Sequence, residues 1–231
     1  MTMPFGAALS PDAHAFVARL LESQGYRELV AADTLAAGLR FAPSLDDKVL
    51  LAHQVSQELQ HFEAVSALYE ELGEGDLFEV VKRRLARVPE PSSWLEAVVV
   101  QSLVCRAGRF HLRAHLWPAY APYTEIVKRI LQEEEDHQAA ADGLLRDLCR
   151  DGDAAVRLAQ AHLEQWLRPA LLSFDHFEPS LPPDHLHEAA ENLPVIREFV
   201  RDVRLLATQC GLTMPPRETL GLGIPSSAYD S

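Results

Sequence analysis

LDDKVLLAHQVSQELQHFEAVSALYEEL, residues 45–72, is the stretch that decides the fold. Apolar side chains such as Leu50 and Val55 recur at helical spacing, with no proline or glycine inside. Ser44 stands just before it, with Asp47 three positions on, which resembles a capping box, and Gly73 closes it. The spacing therefore predicts one long helix over Leu45–Leu72. In its middle lies Glu58-Leu59-Gln60-His61. Residues three apart share a helix face, so a carboxylate and an imidazole stand together among apolar neighbours. Such groups are costly to bury unpaired, so the stretch calls for partners inside a bundle of helices. The plainer reading is an exposed Glu–His pair on a solvated face.

The same spacing recurs once. Glu134-Glu135-Asp136-His137 sits in the middle of a second long helix, expected over Tyr120–Arg150, with Val127 and Leu131 nearby and Gly152 beyond its end. Each motif thus lies on the second long helix of its half of the chain. A first helix is expected over Pro11–Gly38, capped by Ser10, with Gly25 as a point where it could bend. A short helix over Leu77–Arg87 and the pair Pro89 and Pro91 separate the halves. The third helix starts at Ser92 or Ser93 and runs to about His115, where Trp117-Pro118 stops it. Further helices are expected over Ala154–Leu172 and His187–Cys210, the latter kinked at Pro194, with a polar loop over Asp175–Asp184 between them. Strand signals are nearly absent. The layout is all-α: a four-helix bundle with a long crossover and additional C-terminal helices, over residues 1–212. Residues 213–231, rich in proline and glycine, read as an extended or partner-bound tail, not a helical one.

Composition narrows the partners. The 231 residues carry a formal net charge of −13, which repels phosphate backbones and anionic lipid, so neither nucleic acid nor a membrane surface is expected as a partner. The same surplus acid is also what a solvated acidic surface looks like. Cys105, Cys149 and Cys210 form no CxxC pair, which argues against a disulfide framework and for a reducing cytoplasm. Met1 to Ser10 shows no basic region before an apolar core, so a signal peptide is not expected there, and the most apolar run, Ala97 to Cys105, is far short of the roughly 20 residues of a membrane span.

The chemistry lies in the repeated motif. Di-iron carboxylate bundles of the ferritin-like kind use two Glu-x-x-His motifs plus one carboxylate from each of two other helices. Glu28 precedes Glu58 by thirty positions, enough to finish one helix, turn and climb back to the same level. Asp33 falls about 140° round the first helix from Glu28 and should face away. The second half breaks the pattern. Twenty-nine positions before Glu134 stands Cys105, with Gln101 one turn earlier and Glu96 close to the opposite face. The expected metal ligands are Glu28, Glu58, His61, Glu134 and His137, with Cys105 either a thiolate ligand or a small buried thiol. Glu28, Glu58 and Glu134 are the expected catalytic carboxylates. Gln101 and His53 are expected behind the ligands, His53 alternatively as an ordinary packed histidine. The expected cofactor is a pair of iron ions, with manganese or a mixed pair as the alternative, and dioxygen as co-substrate. Trp94, Trp117 and Trp166 read as core or interface anchors. Lys82-Arg83-Arg84 reads as a solvated helix face, or alternatively as a contact for a phosphate.

Several segments together resemble the phenylacetic acid catabolic proteins, in particular the catalytic subunit of the multicomponent phenylacetyl-CoA epoxidase. They are Ala42-Pro43-Ser44-Leu45 through Glu58-x-x-His61, Leu103-Val104-Cys105, and Tyr120-Ala121-Pro122-Tyr123 through Glu133-Glu134-x-x-His137-Gln138, with weaker likeness at Trp166-Leu167-Arg168-Pro169 and Gly211-Leu212-Thr213-Met214-Pro215. The resemblance implies a ferritin-like bundle whose ligand positions fall on Glu28, Glu58, His61, Glu134 and His137, with Cys105 where the family has an aspartate. It further implies epoxidation of an aromatic acyl-CoA, a reductase as electron donor, and a related helical-bundle subunit, or else a homo-oligomer, as partner. The loop Asp175–Asp184 is shorter than the family's. Two other readings stay open: a non-catalytic or degenerate bundle subunit, and a ferritin-like metal-oxidising protein with no organic substrate.

Overall fold

A computed structural model describes residues 10–85, 88–114, 121–174 and 186–230. The fold is all-α: among the described residues there is no strand. The helices are α1 (Pro11–Gly38), α2 (Leu45–Glu71), α3 (Leu77–Leu85), α4 (Trp94–Ala114), α5 (Ala121–Arg150), α6 (Asp153–Leu172), α7 (Leu186–Gln209) and the single turn α8 (Ser226–Tyr229). This agrees with the all-α, ferritin-like make-up expected from the sequence. Trp117-Pro118 and the loop Asp175–Asp184 lie outside the described residues. No helix among those described is long and apolar enough to cross a membrane.

The chain forms two compact units. The first is built from Met1–Trp94 and His115–Glu133, the second from Leu95–Ala114 and Glu134–Ser231. In the first unit α1 packs along α2, and α3 packs on both. The helix starts are those the sequence specifies. The Ser10 hydroxyl accepts from the Ala13 N–H with Pro11 opening the helix, and the Ser44 hydroxyl accepts from the Asp47 N–H at 3.0 Å. Leu35, Ala42 and Leu51 form a buried cluster, with Leu39, Val55 and Trp94 packed against it. α1 runs unbroken through Gly25. A Cβ there would lie 2.7 Å from Leu77 Cδ2 and 3.3 Å from Phe62 Cε2, so the glycine is what lets the wholly buried Leu77 of α3 approach.

In the second unit Phe199 of α7 packs edge-on against Phe110 of α4 and beside Phe174, which in turn stacks on His111. Trp166 of α6 is buried and donates its indole N–H to Glu96 of α4 at 2.8 Å. Glu96 is thus occupied on the face away from the motif, as the sequence suggested. α7 continues as a helix through Pro194.

The expectation of an extended C-terminal tail needs correction. Arg217–Leu220 form a 3₁₀ turn, Gly221 follows in the left-handed region (φ 62°), and α8 comes next. Leu220, Leu222, Ile224 and Tyr229 are buried. Guanidinium groups hold the backbone: Arg168 donates to the Leu220 carbonyl, Arg197 to that of Ser227 and Arg204 to that of Tyr229. The Tyr229 hydroxyl donates back to the Pro215 carbonyl at 2.7 Å. Prolines and glycines forbid a long helix here but not short turns, and turns this short carry no period that a sequence reading can detect.

The α2 cap gives a direct check. Ser44→Ala removes an exposed side-chain acceptor and should cost about 1 kcal/mol, with Ser44→Gly costing only a few tenths, read as shifts in the urea unfolding midpoint at unchanged slope.

Candidate metal centre

Two groups of buried metal-ligating side chains emerge, one in each unit. In the first unit Glu28 comes from α1, and Glu58 and His61 from one face of α2. One ligand atom from each lies within 4.8 Å of the others. All three are buried, Glu58 completely. His61 Nδ1 is 3.3 Å from Glu28 Oε2 and 3.6 Å from Glu58 Oε2. Its other nitrogen, Nε2, lies 3.0 Å from Glu133 Oε2, which also accepts from the Gln57 amide at 3.0 Å. Gln24, one turn before Glu28 on α1, donates its amide N–H to Glu28 Oε1. This is the plan of a ligating histidine: one nitrogen faces the carboxylates, and the other is held by an acceptor that fixes tautomer and ring orientation.

Burial shapes the protonation of this group. It pushes the Glu28 carboxyl up to about 7; His61 pulls against that shift and Glu58 adds to it. Burial alone would disfavour the imidazolium of His61, but hydrogen bonds to the Glu28 and Glu58 carboxylates outweigh it and push that group up to about 11. Two carboxylates confined beside one imidazole hold on to protons because the site wants positive charge.

In the second unit Cys105 of α4 joins Glu134 and His137 of α5, again with one ligand atom from each within 4.8 Å of the others. All three are buried. Gly108, one turn past Cys105, puts no side chain beside Glu134; even a methyl there would touch Oε2 at 3.6 Å. Both groups suit a divalent cation by donor chemistry: carboxylate oxygens, imidazole nitrogens and one sulfur, gathered where an uncompensated charge would be costly.

A sequence model of the phenylacetic acid catabolic proteins matches residues 7–229. The chain belongs to the phenylacetic acid catabolic protein family. A search of curated proteins finds no match. In this family member the five sequence-expected ligands Glu28, Glu58, His61, Glu134 and His137 are all buried, and each belongs to one of the two groups.

Other expected residues divide. Asp33 is exposed, as expected. Gln101 is buried one turn before Cys105. His53 is exposed and does not stand behind the ligands: eight residues from His61 is about 80° round the helix, whereas Gln54, seven residues away and about 20° off, takes the buried position. Lys82 pairs with Glu79, and the Arg84 guanidinium lies over the Tyr26 ring, as befits a solvated helix face.

Three features escaped the sequence reading. Glu133 is half-exposed and looks like a surface acid. Its signal is its place beside Glu134, where two successive acids on one helix point in different directions. Tyr123 is wholly buried with no hydrogen-bond partner for its hydroxyl; burial pushes the phenol up, Arg27 pulls it down and Glu28 raises it again. Arg106, next to Cys105, is buried, donating to Asp142 at 2.6 Å, Asp202 at 3.0 Å and the Ser102 carbonyl at 2.7 Å, while Arg109 also donates to Asp202. Burial still raises the Asp142 carboxyl, Arg106 offsetting only part of the shift. The guanidinium thus ties α4 to α5 and α7 beside two of the grouped residues.

Replacing Arg106 with methionine should strand the Asp142 carboxylate and cost about 3–5 kcal/mol of stability by chemical denaturation. The double variant R106M/D142L should recover much of that loss.

Proposed function

We propose that the two ligand groups, Glu28, Glu58 and His61 in one unit and Glu134 and His137 in the other, hold a pair of iron ions with which the protein oxygenates an aromatic acyl-CoA or a related small acid. The observation that carries this reading is the pairing of like with like. Each group combines buried carboxylate and imidazole from mid-helix positions, and each is built on a Glu-x-x-His spacing. Glu133, which faces His61, is bonded in sequence to Glu134 of the second group, and the Cα atoms of successive residues are only about 3.8 Å apart. Family membership supports a role in phenylacetate catabolism, where such proteins work in multicomponent systems.

In this reading Glu28, Glu58, His61, Glu134 and His137 would hold the metals through their carboxylate oxygens and imidazole nitrogens. Reduced iron supplies the dioxygen chemistry when bound. The chain's own residues set the conditions for it. Glu133 holds the His61 Nε2–H so that Nδ1 faces inward, and Gln24 orients Glu28. The buried surroundings exclude water, which strengthens every charge interaction inside. The buried Tyr123 hydroxyl offers a neutral donor near Glu28. A reductase supplies electrons, and a related bundle subunit or a second copy of this chain completes the assembly. The second reading is a non-catalytic bundle subunit, and the observation favouring it is Cys105 where the family has a carboxylate.

Protein purified without chelator should hold about two iron or manganese ions per chain, and Glu58→Ala should lower that below about one. Unchanged metal content in the variant removes the proposed centre; less than about one metal in the wild type favours the non-catalytic reading. With reductase and dioxygen, an aromatic acyl-CoA should be converted to an oxygenated product by wild type and not by Glu58→Ala, read by mass spectrometry.

Metal binding should also be proton-linked. Ligation needs Glu28 ionised and His61 Nδ1 unprotonated, and both groups hold protons more tightly in the folded apoprotein than in a free chain. Affinity should therefore rise with pH, about tenfold per unit between pH 7 and 8 from His61 alone, and more steeply below about 7 as Glu28 joins. Calorimetric titration in buffers of different ionisation enthalpy checks this; a flat or falling affinity contradicts it.

A further inference from the structure

We propose that Cys105 binds a metal as its thiolate, making the Cys105–Glu134–His137 group a mixed sulfur, oxygen and nitrogen site for a borderline divalent cation. The inference rests on the metal-centre reading above and sharpens it: the two metal positions differ in kind. Glu28, Glu58 and His61 offer mainly hard oxygen donors, whereas the second group offers one soft donor.

A buried cysteine is ordinarily a small apolar side chain. What sets Cys105 apart is its company. Its sulfur, a Glu134 oxygen and a His137 nitrogen all lie within 4.8 Å of one another, and all three residues are buried. Donors on one tetrahedral cation, with metal–sulfur bonds near 2.3 Å and metal–nitrogen or metal–oxygen bonds near 2.1 Å, sit roughly 3.5 Å apart, so the group needs only a small closure to bind. Glu134 and His137, three apart on α5, present their donors on one face, and Cys105 approaches from α4. Among the described residues neither Cys149 nor Cys210 belongs to such a group. Those two thiols lie against each other, and burial raises both.

The chemistry is ligation without redox change. The thiol S–H bond breaks, a sulfur–metal bond forms, and the proton passes to solvent. The sulfur should bias the position toward zinc, cobalt or iron and away from manganese, which favours oxygen ligands.

Cobalt(II) alone, added anaerobically to full-length apoprotein, tests this. Wild type should develop a near-ultraviolet sulfur-to-cobalt charge-transfer band that saturates at about one equivalent, while visible ligand-field bands report cobalt binding in general. The charge-transfer band should be lost in C105S and in C105D, with ligand-field bands retained at least in C105D, and should persist in C149S/C210S. If wild type binds cobalt with ligand-field bands but no charge-transfer band, or if that band survives in C105S, Cys105 is a packed thiol and the inference falls while the metal centre stands. If wild type takes up no cobalt, the metal-centre reading falls and the inference with it. The wild-type spectrum alone decides the first point, so the test does not depend on any variant folding.

Discussion

The contact of His61 with the carboxylates of Glu28 and Glu58 is the constraint on which the rest depends. Two acids and an imidazole, nearly without solvent, cannot each keep an ordinary charge state: the carboxyl of Glu28 is driven up by burial, and the imidazole is held protonated by its acid neighbours. Such an arrangement is costly for a chain that needs only a stable core, since well-packed apolar residues of similar volume would serve stability as well or better. The surrounding structure is arranged to hold it. Gln24 and Gln57 brace the acids around the imidazole, and Gly25 lets Leu77 close over α1.

The second unit holds its own group by different means. The buried Arg106 guanidinium, shared between Asp142 and Asp202, fixes α4 to α5 and α7 one residue from Cys105. That charge network supplies orientation at the expense of desolvation, a common exchange where geometry matters more than stability. The difference between the groups, oxygen-rich on one side and sulfur-bearing on the other, follows from one position, and it is where this chain departs most from what the family resemblance implies.

Much of this was legible in the sequence, for physical reasons. The helices were readable because caps such as Ser10 and Ser44 act locally. Proline and glycine punctuation fixed most boundaries within one or two residues. The Glu-x-x-His spacing and the thirty-residue offset of Glu28 put the expected ligands on buried faces, because helical rise and period are fixed numbers. What failed depended on partners distant in sequence. His53 lies about 80° off the face of the expected ligands, and Gln54 takes the buried position. Glu133 reads as an ordinary surface acid until His61 is seen beside it. Arg106 looks like any arginine until Asp142 and Asp202 arrive from 36 and 96 residues away. The close approach of Leu77 to Gly25 is invisible from α1 alone because Leu77 lies on another helix. The tail read as extended because its turns are too short to show a period.

The central claim is that the carboxylate–imidazole group of each unit holds a metal ion. Anomalous diffraction at the iron edge, from crystals grown anaerobically with iron(II), addresses it most directly. The account predicts two strong peaks, one against Glu28, Glu58 and His61 and the other against Glu134 and His137. No peak at these residues, or a peak at only one of the two groups, would contradict it.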